Sequence, residues 1–250
     1  MLWVLDLDGV VWLAGTAIPG SADAIRRLHE AGEKVAFVTN NSGPTVAEYA
    51  ERLRRGGIDA EPGELLTSSQ AAASLVPAGS KVAFLGGEGL HEALVERGVE
   101  LVDAGDGPDA VVVGRSLSLD FATLASVAAA VRAGARFVAT NSDATFPTPH
   151  GPEPGTGALL AYLEVGSGRQ AEVAGKPEQA VADLVRSRFG PAGVVVGDRP
   201  ETDGLFAERL GAEFALVLTG VTRRTDLPVK PEPAMVGDDL RAVVEERLAG

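Results

Sequence analysis

The sequence predicts an α/β protein built on mostly parallel strands. Two observations carry that reading. Short apolar, β-branched runs alternate with helical patterns along the chain, as they do where helices cross between parallel strands. Three of the runs also end in polar residues of catalytic type, where open parallel sheets hold their ligands.

The first strand is Leu2–Leu5, which leads straight into Asp6-Leu7-Asp8-Gly9. A helix over 21–31 closes at Gly32, and a strand over 35–38 runs into Thr39-Asn40-Asn41-Ser42-Gly43. The helix Val46–Arg55 stops at Gly56-Gly57, a C-terminal signal. Further strands are expected at Lys81–Leu85, Ala110–Val113, Arg136–Ala139, 193–196 and 214–218. Helices fit Glu88–Arg97, 120–133, 157–164, 178–189, 202–210 and 238–248. Gly86-Gly87-Glu88-Gly89 lacks the full dinucleotide fingerprint and reads as a tight turn. Phe37-Val38-Thr39-Asn40-Asn41-Ser42 echoes Phe137-Val138-Ala139-Thr140-Asn141-Ser142, a match that any two αβ units could produce.

Composition narrows the function. The chain has 250 residues, 45% of them hydrophobic, enough for a buried core. No run reaches the roughly 18 apolar residues of a membrane helix. The first residues show no basic region, long apolar segment or cleavage site, so a cytoplasmic protein is expected. The absence of cysteine agrees with that, and it excludes disulfides, thiolate metal sites and a cysteine nucleophile. A net charge of −13 would repel nucleic acid, and the basic residues are scattered rather than gathered in a patch.

Asp6 and Asp8 follow a buried strand, lie close together and repel unless a cation or proton separates them. A turn is the alternative, since Asp and Gly form turns readily, although no turn requires two acids directly after an apolar strand. Thr39 and the amides after it suit an anion. Lys176, in Ala174-Gly175-Lys176-Pro177-Glu178, precedes a Pro expected to open a helix. Val194-Val195-Val196-Gly197 delivers Asp198, with Thr202 expected as a helix N-cap and Asp203 in the opening turn. Capping is an alternative role for Asp203.

In order along the chain, DLDGV, the Thr of VTNN, the Lys of GKP and GDRPETD resemble the four motifs of the haloacid dehalogenase-type phosphatases. The spacing between Thr39 and Lys176 leaves room for an inserted α/β domain. Together with GDRPETD and ATNSDATFPT it is similar to the branch with a type II cap, the NagD-like, p-nitrophenyl-phosphatase and phosphoglycolate-phosphatase relatives. One departure is Asn141-Ser142-Asp143, where that branch often has Asn-Pro-Asp. The resemblance implies a Rossmann-like core at 1–75 and 174–250, with the cap at 76–173 and hinges near 77–80 and 171–175. It implies a small phosphorylated metabolite as substrate and a homodimer through the cap.

It further implies Asp6 as nucleophile and Asp8 as general acid and then base. Mg2+ would be held by the Asp6 carboxylate, the Asp8 main-chain carbonyl and the Asp198 carboxylate. Thr39, Asn40 and Lys176 would bind the phosphoryl oxygens, and Asp203 would orient this set from behind. The Pro- and Gly-rich loop 145–157, with His150 and Glu153, is the candidate for substrate selection; an exposed loop histidine is the alternative reading of His150. His29 and His91 fall in helical stretches and read as surface residues. A phosphomutase or a non-catalytic phosphate binder on the same fold is the competing reading. A dehalogenase is disfavoured by Asp8.

Overall fold

The computed structural model describes every residue except Ala14, Pro149 and Gly250. The chain divides into two compact units. One comprises Met1–Thr39, Ala47–Leu66 and Lys176–Gly250, the other Asn40–Val46 and Thr67–Gly175. Residues 40–46, 67–75 and 174–175, expected with the core, fall in the second unit.

The first unit is built on a six-stranded sheet in the order Met235–Gly237, Glu213–Val217, Val194–Gly197, Leu2–Leu5, Lys34–Thr39, Leu65–Thr67. The register aligns Leu5 with Phe37 on one side and with Val196 on the other, both parallel. Leu2–Leu5 and Val194–Gly197 are buried throughout, which explains their continuous apolar sequences: helices cover both faces of a parallel sheet. The helix Ser21–Glu30 buries Ser21, Ala24, Ile25 and Leu28, one stripe of a 3.6-residue period. Because neighbouring strands run in the same direction, Asp6, Thr39 and Asp198 emerge at one edge.

The second unit contains a five-stranded parallel sheet ordered Glu172–Val173, Arg136–Ala139, Ala110–Val113, Lys81–Leu85, Glu100–Leu101. Its core gathers Val111, Val113, Val127, Val131, Leu160 and Leu163, among others. The stretch 86–89 is not a separate tight turn, since Gly87 caps the helix Glu88–Arg97, and it is a place of close approach. A Cβ on Gly87 would stand 2.9 Å from the Gly43 carbonyl oxygen, and one on Gly89 only 2.0 Å from that of Pro44.

Three expectations need correction. The stretch 145–157 is no loop: Thr145–Thr148 pairs antiparallel with Gly151–Pro154, and Pro147 opposes Pro152. Proline hides a strand pattern from sequence reasoning, yet an isolated two-stranded ribbon has outward edges where its missing N–H costs little. Pro177 does not open a helix. It lies in a turn, and the helix Gln179–Phe189 begins after Glu178. Thr202 is not an N-cap either. Residues Pro200–Gly204 form a π-type turn ahead of the helix Leu205–Leu210, and the Thr202 hydroxyl donates to the Arg199 carbonyl at 3.5 Å.

Candidate active site

Asp6 directly follows its strand, and its amide donates to the Val196 carbonyl at 3.0 Å. That bond ties the first acid to the strand that delivers Asp198. Lys176 is 3% exposed and donates to Asp6 Oδ1 and Asp203 Oδ1, each at 2.6 Å. Asp203 Oδ2 accepts from the Arg199 amide at 3.2 Å. Asp203 is thus divided: one oxygen fastens the turn and the other holds the lysine.

The electrostatics are unbalanced. Asp6, Asp198 and Asp203 each bring a carboxylate oxygen within 4.8 Å of the others, and a single ammonium stands among them. Burial alone would lower the Lys176 pKa, but the Asp203 and Asp6 carboxylates outweigh it and hold the ammonium well above its ordinary value. Burial pushes Asp6 far up, with Lys176 opposing and Asp203 and Asp198 adding to the rise. A proton on Asp6 is at odds with a 2.6 Å contact to a charged lysine. The contact is an ion pair: the buried ammonium is balanced by the Asp6 and Asp203 carboxylates. Burial, then the charge of Asp203, pushes Asp198 up to about 7.

Such a surplus of buried carboxylate calls for a cation, and Asp198 provides the test. Its Oδ2 accepts from the Val221 amide at 2.6 Å, whereas its Oδ1 is buried with no hydrogen-bond partner. A Cβ on Gly220 would fall 1.9 Å from Oδ2, and one on Gly9, at φ +90°, 2.6 Å from the carboxyl carbon. Only glycine at those two positions lets the backbone close around this side chain. The oriented, unpaired oxygen beside Asp6 has the hard character that magnesium prefers. Asp203 fits a ligand role less well, because Lys176 and Arg199 already engage its two oxygens.

Asp8 is turned to a different task. Its Oδ1 accepts from the Trp12 indole N–H at 3.0 Å. Burial raises its pKa, while that hydrogen bond and then Lys176 and Arg52 pull the other way. The net rise keeps a protonated form accessible, as a general acid requires. Thr39, at its strand end, is 2% exposed.

Asn40 groups with the second unit. Its side-chain amide donates to Asp143 Oδ1 at 3.3 Å, and its carbonyl accepts from Ser68 Oγ and Asn141 Nδ2, each at 2.6 Å. The Asn40 side chain is thus committed within that unit. His150 is exposed; its amide donates to Thr148 Oγ1 at 3.2 Å. His91 stands 3.9 Å from Glu88 on an exposed helix face, and neither His29 nor His91 joins the acid cluster. Sequence reasoning passed over Trp12, Gly220 and Thr219, whose hydroxyl donates to the Gly9 carbonyl. The available signal was Thr-Gly just beyond a predicted strand.

A model of the haloacid dehalogenase-like hydrolases matches residues 3–100, and a second, HAD-hydrolase-like model matches 173–243. An acid sugar phosphatase of Staphylococcus haemolyticus is 34% identical, over 98% of this chain and 95% of its own length. Among solved structures, a p-nitrophenyl phosphatase from Archaeoglobus fulgidus superimposes with a TM-score of 0.92 at 34% identity, covering 98% of each chain. A glycerol phosphate phosphatase from Mycobacterium tuberculosis, in complex with magnesium, gives 0.90 at 35% identity, over 97% of this chain and 75% of that one.

Proposed function

Because this chain belongs to the haloacid dehalogenase-like hydrolases, we propose that it is a magnesium-dependent phosphatase. It hydrolyses small phosphate monoesters through an aspartyl-phosphate on Asp6. The observation that carries this reading is the buried, unpaired Asp198 oxygen beside a lysine-bound Asp6.

In the first step an Asp6 carboxylate oxygen forms a bond to phosphorus while the bond to the ester oxygen breaks. Asp8 delivers its proton to the departing alkoxide. In the second step Asp8 takes a proton from water, which attacks phosphorus, releases inorganic phosphate and restores Asp6. Lys176, the Thr39 hydroxyl and the Asn40 backbone N–H receive charge that spreads over the phosphoryl oxygens. Asp203 keeps Lys176 aimed from behind. The Asp6 and Asp198 carboxylates and the Asp8 main-chain carbonyl would hold magnesium, whose charge offsets the repulsion between carboxylate and phosphate dianion.

The relatives named for acid sugars, glycerol phosphate and p-nitrophenyl phosphate support small esters as the substrate class, with phosphoglycolate, sugar phosphates and nucleoside monophosphates as further candidates. Substrate selection is assigned to the second unit and there to the ribbon around His150. Among the described residues no helix is long and apolar enough to cross a membrane; the cysteine-free composition supports a cytoplasmic location. A homodimer through the second unit, where Leu117, Phe121 and Val165 are exposed, is part of the proposal.

The test is phosphate release from a panel of such esters, with magnesium and with EDTA, for the wild type and for His150→Ala. Magnesium-dependent release is expected, with a changed ranking in the variant. Transfer of the phosphoryl group between sugars without release would instead favour a mutase. Tight binding without turnover would favour a non-catalytic binder.

A further inference from the structure

Two aromatic residues outside the motifs connect two of the reacting groups. After Asp8 the chain doubles back sharply: the Val11 and Trp12 amides donate to the Leu7 carbonyl at 2.9 and 3.1 Å, and the Gly9 amide donates to the Trp12 carbonyl at 2.7 Å. Gly9, at φ +90°, permits the reversal. It returns the Trp12 ring over Asp8, whose Oδ1 the indole N–H reaches at 3.0 Å.

Tyr49 lies on the buried stripe of the helix Val46–Arg55 together with Leu53, each wholly shielded from solvent. Its ring is parallel to that of Trp12, with 2° between the planes and 6.1 Å between centroids. That is an offset stack, an arrangement aromatic pairs favour. The Arg52 guanidinium stands 5.7 Å from the Tyr49 ring centre, within cation–π range. At its far end the Tyr49 hydroxyl is hydrogen-bonded to the Thr39 side chain.

We propose that Trp12 and Tyr49 are positioning residues: one ring sets Asp8, the other sets Thr39, and their stack holds the two groups in fixed relation. The inference rests on the phosphatase reading, in which Asp8 moves the proton and Thr39 binds phosphate. Hydrogen-bond directions follow from chemistry. An indole nitrogen can only donate, so Asp8 Oδ1 is the acceptor and proton transfer falls to Oδ2. Burial raises the Tyr49 pKa well above its ordinary value, with the Asp8 charge adding to the rise; the phenol therefore keeps its proton. The bond between the two hydroxyls fixes the Thr39 side chain at its strand end. Neither ring is expected to touch substrate.

The two rings predict different kinetic signatures, read with p-nitrophenyl phosphate and the best alkyl ester of the panel. Trp12→Phe keeps a ring but removes the donor. An alkoxide needs the proton from Asp8 and nitrophenolate scarcely does. The alkyl kcat should fall about tenfold and the aryl kcat less than about threefold, the size of one hydrogen bond to a charged group acting on proton transfer. Tyr49→Phe removes the bond to Thr39 and should lower kcat/KM about tenfold for both esters alike.

The alkyl-to-aryl ratio is measured within one preparation, so a partly unfolded variant does not alter it. An unchanged ratio in Trp12→Phe, or unchanged kcat/KM in Tyr49→Phe, would overturn the inference and leave the phosphatase reading standing. A wild type that releases phosphate from neither ester would overturn both.

Discussion

The two units present the same kind of edge with opposite chemistry. Each has a parallel sheet, and two residues beyond one strand of each an Asn makes the same turn, Asn41 itself grouping with the second unit. Asn41 Oδ1 accepts from the Gly43 amide and Asn141 Oδ1 from the Asp143 amide, both at 3.1 Å. The sequence echo thus marks a shared local motif. Around Asn141 the groups are neutral or paired: Ser42 Oγ accepts from the Arg115 amide at 3.0 Å, and Asn141 Nδ2 donates to the Asn40 carbonyl at 2.6 Å. In the first unit the strands deliver carboxylates that one lysine cannot neutralise. A sheet edge only offers a place for a site. Unbalanced buried charge makes it reactive.

That contrast is open to test, and Asp6→Asn carries the largest expected effect. With an amide in place of the nucleophile, phosphate release should fall by about 10²–10⁴-fold or more. Asp143→Asn, at the other edge, should alter KM by a few-fold and leave kcat nearly intact. Comparable kcat losses in the two variants would erase the distinction between the units.

Next in size is Gly220→Ala. Its Cβ would fall 1.9 Å from Asp198 Oδ2, so the carboxylate must move. A displacement near 1 Å costs about 10²-fold in rate, and half-saturation by magnesium should rise with it. An alanine enzyme with wild-type magnesium titration would show that the placement of Asp198 is not critical.

The smallest effect concerns stability without metal. Folding raises the Asp198 pKa from 3.8 to about 7, so the folded state binds a proton that the unfolded state releases. From this group, stability should fall as pH rises from about 4 through 7 and then level off, the reverse of a salt-bridged carboxylate. In EDTA the melting temperature should therefore be lower at pH 8 than at pH 5.5, and magnesium should restore most at pH 8. A rise with pH in EDTA would mean that the acids are balanced by other charges.

Much of this was legible before any coordinates. Leu2–Leu5, Ala110–Val113 and Arg136–Ala139 were readable because buried parallel strands are continuous apolar runs. The amphipathic helices announced their length by their period. The two edge strands of the second unit's five-stranded sheet, Glu172–Val173 and Glu100–Leu101, were not, since two residues carry no pattern. The ribbon at 145–154 was hidden by its prolines.

The site divides in the same way. Sequence alone determined that Asp6 and Asp198 stand at strand ends, because chain direction and strand period place them there whatever the remaining residues do. Only the tertiary structure decided what each oxygen is bonded to. Asp203 is shared between Lys176 and its own turn, Asp198 keeps one oxygen unpaired, and Asp8 faces Trp12. Those outcomes depend on contacts between residues as far apart as Asp6 and Lys176, and on two glycines that let the backbone close on Asp198. No local pattern encodes such contacts, because their energy exists only once the strands have been brought side by side.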